Sequence, residues 1–243
     1  KAHIEKRFGI AFDPPASRMR EYIQALKAIF DCWQHGSPMD FDGRFYKHTL
    51  MTPMFDPGPN PHGIPPVLLG ALGPRMTEVA GEVADGLIVH PFNSMRFLEN
   101  NAMPAVLRGL EKSGRQRTDF ILQINAIVIT GETEEAISAA TESVKGLLGF
   151  YASTPAYRPP MEAVGYEDLQ PELNALSKQG KWDALGSYID DDFLEHFTTR
   201  GAPSEIAAKL KEKYGQYADR LAIYAPYAAP DDMWRKIIAE LKN

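Results

Sequence analysis

The chain has 243 residues, a formal net charge of −6 and a single cysteine, Cys32. That charge excludes the clustered Lys and Arg excess of a nucleic-acid surface, a lone cysteine excludes an intrachain disulfide and fits a reducing cytoplasm, and no apolar run approaches the roughly 20 residues that span a bilayer. With 44% hydrophobic residues the chain can bury one large core or two small ones, and its six histidines lack the close spacing of a zinc site.

Residues 1–16 read as a lead-in ending in the loop Asp13-Pro14-Pro15. Ser17 is placed to cap a helix whose apolar positions, among them Met19, Ile23, Leu26 and Phe30, keep helical period until Gly36-Ser37-Pro38. Cys32 falls in its last turn with no basic neighbour and reads as packing. Residues 39–65 hold short extended pieces around an Asp-Gly turn, then a Pro- and Gly-rich run, and read as a hairpin excursion over the surface.

Pro66–His90, PVLLGALGPRMTEVAGEVADGLIVH, predicts strand, glycine turn, helix and strand, a βαβ unit and hence a parallel sheet. Pro74 stands where a first helical residue belongs, and Asp85-Gly86 breaks the helix before Leu87-Ile88-Val89. In the turn, Gly70 and Gly73 leave room for close approach, and amides from Ala71 to Met76 lack helical partners where the helix dipole favours an anion. It is either a phosphate cradle or an ordinary βα loop with glycines for geometry. Gly70-Ala71-Leu72-Gly73 fits neither the dinucleotide fingerprint nor a Walker loop.

A helix is expected over 95–113, closed by Gly114 and a basic hinge of Arg115 and Arg117. Phe120–Thr130 is the most strand-like segment, with one apolar row and a second row holding Gln123 and Asn125, which predict structural hydrogen bonding. After Gly131 a helix follows, with Glu134 and Glu135 in its first turn. Residues 152–200 break the alternation with STPAYRPP and two helical pieces, about 166–179 and 181–197, and read as an inserted, lid-like region. Another helix starts at Gly201-Ala202-Pro203 with Ala202 a poor N-cap, Leu221–Ala225 is a last strand, and Asp231–Leu241 a closing helix.

Four strands alternating with helices give an α/β fold with helices covering a parallel sheet, the strands being neighbours in chain order. Four strands cannot close a (β/α)8 barrel. The chain also begins at Lys1 without an initiator Met, inside a helical approach (HIEKRFG), and so reads as a piece of a longer protein.

SRMREYIQALKAIFDCW, FDGRFYKHTLMTP, PPVLLGALGPRMTEVAGEVADGLIVHPF, and GAPSEIAAKL before DRLAIYAP resemble the luciferase-like monooxygenase superfamily, nearest its branch of oxidoreductases that use coenzyme F420, a deazaflavin. The resemblance implies a TIM (β/α)8 barrel of which residues 1–243 are the C-terminal part, about strands five to eight plus insertions at 39–65 and 152–200. It implies cofactor-phosphate binding by Gly70, Ala71, Leu72, Gly73 and Met76, the loop after the fifth strand, and places the catalytic residues upstream of Lys1. His90, at a strand end where barrel chemistry happens, is either a proton donor or a satisfied structural histidine. Tyr157 and Arg158 are either contacts to an anionic substrate or cofactor tail or solvated loop residues.

These readings imply an oxidoreductase that transfers a hydride between coenzyme F420 and a small organic substrate, a cytoplasmic enzyme and a homodimer or higher homo-oligomer, binding neither nucleic acid nor membrane. The alternatives are an FMN-dependent luciferase-like monooxygenase, and a non-catalytic flavin-binding protein or inactive fragment. The reading frame upstream of Lys1 separates the enzyme from the last of these.

Overall fold

The computed structural model describes residues 1, 3–12 and 14–242, with the backbone alone for residue 3, so Asp13 of the expected lead-in loop lies outside the described residues. The chain packs as two compact units, Lys1–Leu87 with Ala105–Phe120 and Ile88–Pro104 with Ile121–Asn243.

In the first unit, helix α1 (Pro15–His35) begins two residues before the expected cap Ser17. Pro15 takes the N1 position, for which its fixed φ is preorganised, and Pro14 is an N-cap with no side-chain bond. Gly36 ends the helix in the left-handed region (φ 70°), its N–H donating to the Cys32 carbonyl, and Cys32 is buried as packing. Strands β1 (Phe41–Asp42) and β2 (Lys47–His48) form the expected hairpin. Its tip is tied to α1 by Glu21, whose Oε1 accepts the amides of Phe45 and Tyr46 at 2.5 and 2.7 Å.

Strand β3 (Leu68–Ala71) lies two residues later than expected, and Gly70 and Ala71 belong to it rather than to the turn. Asp85 supplies the reason. Its Oδ2 accepts the Val67 amide at 2.7 Å while its own amide donates to the Val67 carbonyl at 2.8 Å, so both polar groups of Val67 are taken before the ladder starts. Helix α2 (Pro74–Val83) follows, then β4 (Gly86–Val89), whose first half belongs to this unit and whose second half belongs to the other.

The single helix expected over 95–113 is divided into α3 (Met95–Phe97), a π-helical turn Leu98–Ala102, and α4 (Met103–Lys112). Pro104 has no N–H to donate back along the helix, and the wider turn lies immediately before it. In the first unit α2 and α4 cross closely at Gly81 and Gly109, where a Cβ would collide with the Val106 and Glu78 carbonyl oxygens respectively. Arg115 then caps α2, donating to the carbonyls of Ala84, at 2.7 Å, and Gly81.

The second unit contains β5 (Ile121–Ile129), α5 (Glu134–Ala152), α6 (Arg158–Glu162), α7 (Leu169–Lys178), a 3-10 turn at Trp182–Tyr188, α8 (Asp191–Phe197), β6 (Thr198–Arg200), α9 (Pro203–Tyr214), β7 (Arg220–Tyr224) and α10 (Asp231–Lys242). Ala202 is the N-cap of α9 as expected, and the Glu205 carboxylate accepts its amide at 3.0 Å. In the sheet β3 adjoins β4 and β4 adjoins β5, while β5 pairs in parallel with β7, so the four expected strands are neighbours in chain order.

Strand β6 is a correction to the expected count. It pairs in parallel with the end of β5, Ile127 opposite Thr198 and Ile129 opposite Arg200. Asp219 N donates to the Leu122 carbonyl and Gly201 N to that of Ile129, at 2.9 and 3.1 Å. Residues 122 and 129 differ by an odd number, so β7 and β6 lie on opposite edges of β5. The outward carbonyls of β6 receive ammonium groups: Lys213 Nζ reaches Thr198 O at 2.8 Å and Lys209 Nζ reaches Arg200 O at 3.0 Å.

The core of this unit gathers Ile127 and Ile129 of β5, Val144 and Leu148 of α5, and Phe92, Phe193 and Phe197. Phe92 stacks on Phe197 with centroids 4.5 Å apart and planes within 5°. Beyond β7, the Tyr227 hydroxyl donates to Val128 O at 2.9 Å and accepts the Thr130 amide at 3.0 Å.

Candidate functional site

In the first unit, Gly73 is the N-cap of α2 with φ −68° and ψ 145°, and no side chain caps the helix. Its carbonyl accepts both the amide and the hydroxyl of Thr77, each at 3.0 Å. Pro74 has no amide hydrogen, and the amides of Gly73, Arg75 and Met76 make no hydrogen bond among the described residues. A Cβ built on Gly70 or Gly73 would meet nothing within 4 Å, and neither glycine has a positive φ. Neither packing nor backbone conformation therefore requires glycine at these two positions.

This loop borders a cleft of about 700 Å³, lined by Gly73, Pro74, Arg75 and Met76 and, from the first turns of α1, by Pro15, Ser17 and Arg20. Both helices start with proline and lack a side-chain cap, so two sets of first-turn amides face one cleft. Arg20 is held at 2.8 Å by Glu82, and its Nε is buried without a partner. Free amides, helix N-termini and two guanidinium groups match an anion such as a phosphate. Ser17 was legible only as a helix cap and Arg20 not at all, because the cleft depends on how α1 and α2 pack.

In the second unit, His90 follows the last residue of β4 and Tyr224 is the last residue of β7. The Phe92 amide donates to His90 Nδ1 at 3.1 Å. Its imidazole contacts the rings of Tyr157 and Tyr151, at centroid distances of 4.6 and 5.1 Å, and the two tyrosine rings meet edge to face at 5.7 Å. Burial pushes the His90 pKa below its ordinary value. Burial first, and then the Tyr224 hydroxyl at 3.5 Å, raise that of Tyr151. Tyr157 and His90, expected separately, thus come together, joined by Tyr151 of α5 and Tyr224 at the end of β7, which no motif in the sequence singles out. Arg158, by contrast, is an exposed first residue of α6 with no partner among the described residues. Gln123 and Asn125 are structural as expected, the Gln123 amide donating to Asn125 Oδ1 at 3.3 Å.

Among the described residues no helix is long and apolar enough to cross a membrane. A family model described as luciferase-like monooxygenase matches residues 1–220. An uncharacterized protein of Mycobacterium tuberculosis is 45% identical over 221 residues, covering 91% of this chain and 65% of its own. The 5,10-methylenetetrahydromethanopterin reductase of Archaeoglobus fulgidus is 23% identical over 208 residues, covering 85% and 59%. Among solved structures, the coenzyme F420 dependent tetrahydromethanopterin reductase from Methanopyrus kandleri superposes with a TM-score of 0.68 at 22% identity, over 91% of this chain and 61% of that one. At that identity the likeness is one of fold, an α/β fold with a parallel sheet that corresponds to part of a TIM barrel. The chain spans less than two thirds of the length of these relatives.

Proposed function

Because the chain belongs to the luciferase-like monooxygenase family, we propose that it is part of an oxidoreductase that uses coenzyme F420 and acts on a small organic substrate. The solved structure named as a coenzyme F420 dependent reductase supports the deazaflavin, and the Archaeoglobus relative, named as a reductase, supports the oxidoreductase class. The observation that carries the site is the pair of glycines, Gly70 and Gly73, with ordinary φ, open space where a side chain would stand, and unbonded amides beside them.

The cleft fits the phosphate of such a cofactor. The amides of Gly73, Arg75 and Met76 donate to it, and the first turns of α1 and α2 add their dipoles. Arg75 supplies the charge and Arg20, paired with Glu82, its free Nε–H, while the lining carboxylate Glu78 is taken up by Arg108 and Lys112. The deazaflavin, when bound, supplies a two-electron hydride carrier, and the protein supplies orientation and the exclusion of water.

A second reading, an FMN-dependent monooxygenase, is favoured by the description of the matching family. Phosphate is common to both cofactors, so the cleft serves either. Gly73→Val tests the cradle. Its φ and ψ suit a β-branched residue and its side chain would enter open space, so the fold should stand while affinity falls roughly tenfold or more through lost amide contacts. Titration of wild type and variant with F420 and with FMN reads both questions. Unchanged affinity for both removes the cleft as the site, and preference for FMN selects the second reading.

A further inference from the structure

The polar tips of the aromatic cluster in the second unit are unused by the reading above. A backbone N–H can only donate, so the bond from Phe92 obliges His90 Nδ1 to keep its lone pair. The proton of the neutral ring therefore sits on Nε2, and that atom has no partner among the described residues. The Tyr157 hydroxyl is likewise unpartnered, and the Tyr151 hydroxyl has only the long contact to Tyr224.

These four residues come from four places in the unit, the end of β4, the last turn of α5, the short 3-10 turn after it and the end of β7. They meet beyond the carboxyl ends of parallel strands, where α/β folds of this type bind ligands. The rings of His90, Tyr151 and Tyr157 touch one another, yet all three are only half-buried, and Tyr224 is exposed. Among the described residues no hydrogen bond, ion pair or ring contact joins a charged side chain to His90, Tyr151 or Tyr157, and Arg158, next to Tyr157 in the chain, is exposed.

We propose that His90 Nε2–H and the hydroxyls of Tyr151, Tyr157 and Tyr224 form a binding site for the carbonyl or hydroxyl oxygen of a neutral organic molecule whose apolar body lies on the aromatic rings. The set offers donors without a formal charge. The four groups themselves offer an anion no cation and a cation no carboxylate. A neutral oxygen accepts from the imidazole and the phenols, and the ring faces cover the carbon skeleton. The lowered His90 pKa and the raised Tyr151 pKa keep both groups in these uncharged forms at neutral pH. As a substrate site it rests on the oxidoreductase reading.

The test is a titration of the full-length protein, without cofactor, with three probes of one skeleton: cyclohexanone, cyclohexanecarboxylate and cyclohexylammonium. Long-range proton–nitrogen correlation spectra of the imidazoles should show His90 as the Nε2–H tautomer. Cyclohexanone should move its Nε2 resonance saturably, and the two ions should not. His90→Phe and Tyr151→Phe should each weaken ketone binding roughly three- to tenfold, read on the remaining tyrosine rings. Tyr151→Phe should melt as wild type does, and His90→Phe, which takes the acceptor from the Phe92 amide, should stay folded with a lowered midpoint. Should either variant fail to fold, Tyr224→Phe at an exposed strand end takes its place. Absence of a saturable shift, equal shifts from the charged probes, or variants that bind the ketone like wild type would each overturn the proposal. Ketone binding with no cofactor binding would leave this site standing and sink the cofactor reading. The reverse result would sink this site alone.

Discussion

A single carboxylate, Asp85, ties three segments of the first unit. It accepts the Val67 amide and holds the Lys27 ammonium at 2.5 Å, while its own amide pairs with Val67. Asp85→Ala leaves the Val67 amide and a half-buried ammonium without their acceptor, and should cost about 1–3 kcal/mol in a urea melt. Equal stability would mean that water replaces the carboxylate fully. Gly109 fails in the opposite sense. Its α-carbon lies against the backbone of α2, so Gly109→Ala must push two helices apart, at about 1–3 kcal/mol despite the better helix propensity of alanine. The same change at Gly73, where no neighbour stands, should leave stability within about 0.5 kcal/mol. In sequence Asp85 was visible only as a helix breaker. Its partners lie 18 and 58 residues away, and nothing in local spacing identifies them.

At the scale of elements, period and punctuation carried most of the reading. β4 and β5 fall where alternation and apolar runs placed them, and α1, α2 and α5 follow their helical stripes. What escaped has a physical reason in each case. β6 is three residues long and continues directly from α8, so its strand character comes from pairing with β5 and not from its own composition. The π-helical turn before α4 depends on a proline that a helical stripe tolerates on paper. The cleft of the candidate site needs two helices side by side, and only its α2 half was legible as a glycine turn. Phe92 shows the same limit. It reads as a loop residue after His90-Pro91, yet it is wholly buried against Phe193 and Phe197. Phe92→Ala should cost about 3–5 kcal/mol, measurable as a lowered denaturation midpoint.

For the molecule as a whole, Lys213 beside β6 gives stability a pH dependence that can be read against a control. Burial brings Lys213 down to about 8, below the ~10.4 of an unfolded lysine. Between these values the unfolded chain holds more protons than the folded one, so stability rises with pH across that window. Below about pH 8 both states are protonated and the cost of burying the charge is present in full. Relative to Lys213→Met, the wild type should gain stability from about pH 8 to 10, by at most ~1.4 kcal/mol per pH unit. Urea midpoints of the two proteins that stay parallel over this range would contradict the assignment. The ammonium groups of Lys209 and Lys213 fill the outward carbonyls of β6, as edge strands require if they are not to recruit another chain. The α/β class was legible from the order of elements, since alternation survives insertions, and the family from the resemblance of whole segments such as PPVLLGALGPRMTEVAGEVADGLIVHPF. Tyr227 was not, because a tyrosine in a Pro-Ala-rich tail gives no sign of reaching the end of β5. Its hydroxyl makes the Thr130 amide a clock for the tail. That hydrogen can exchange with solvent deuterium only when the segment bearing Tyr227 lifts away, so its exchange rate reports how often the last residues detach, and Tyr227→Phe should accelerate this one amide while leaving its neighbours within β5 as slow as before.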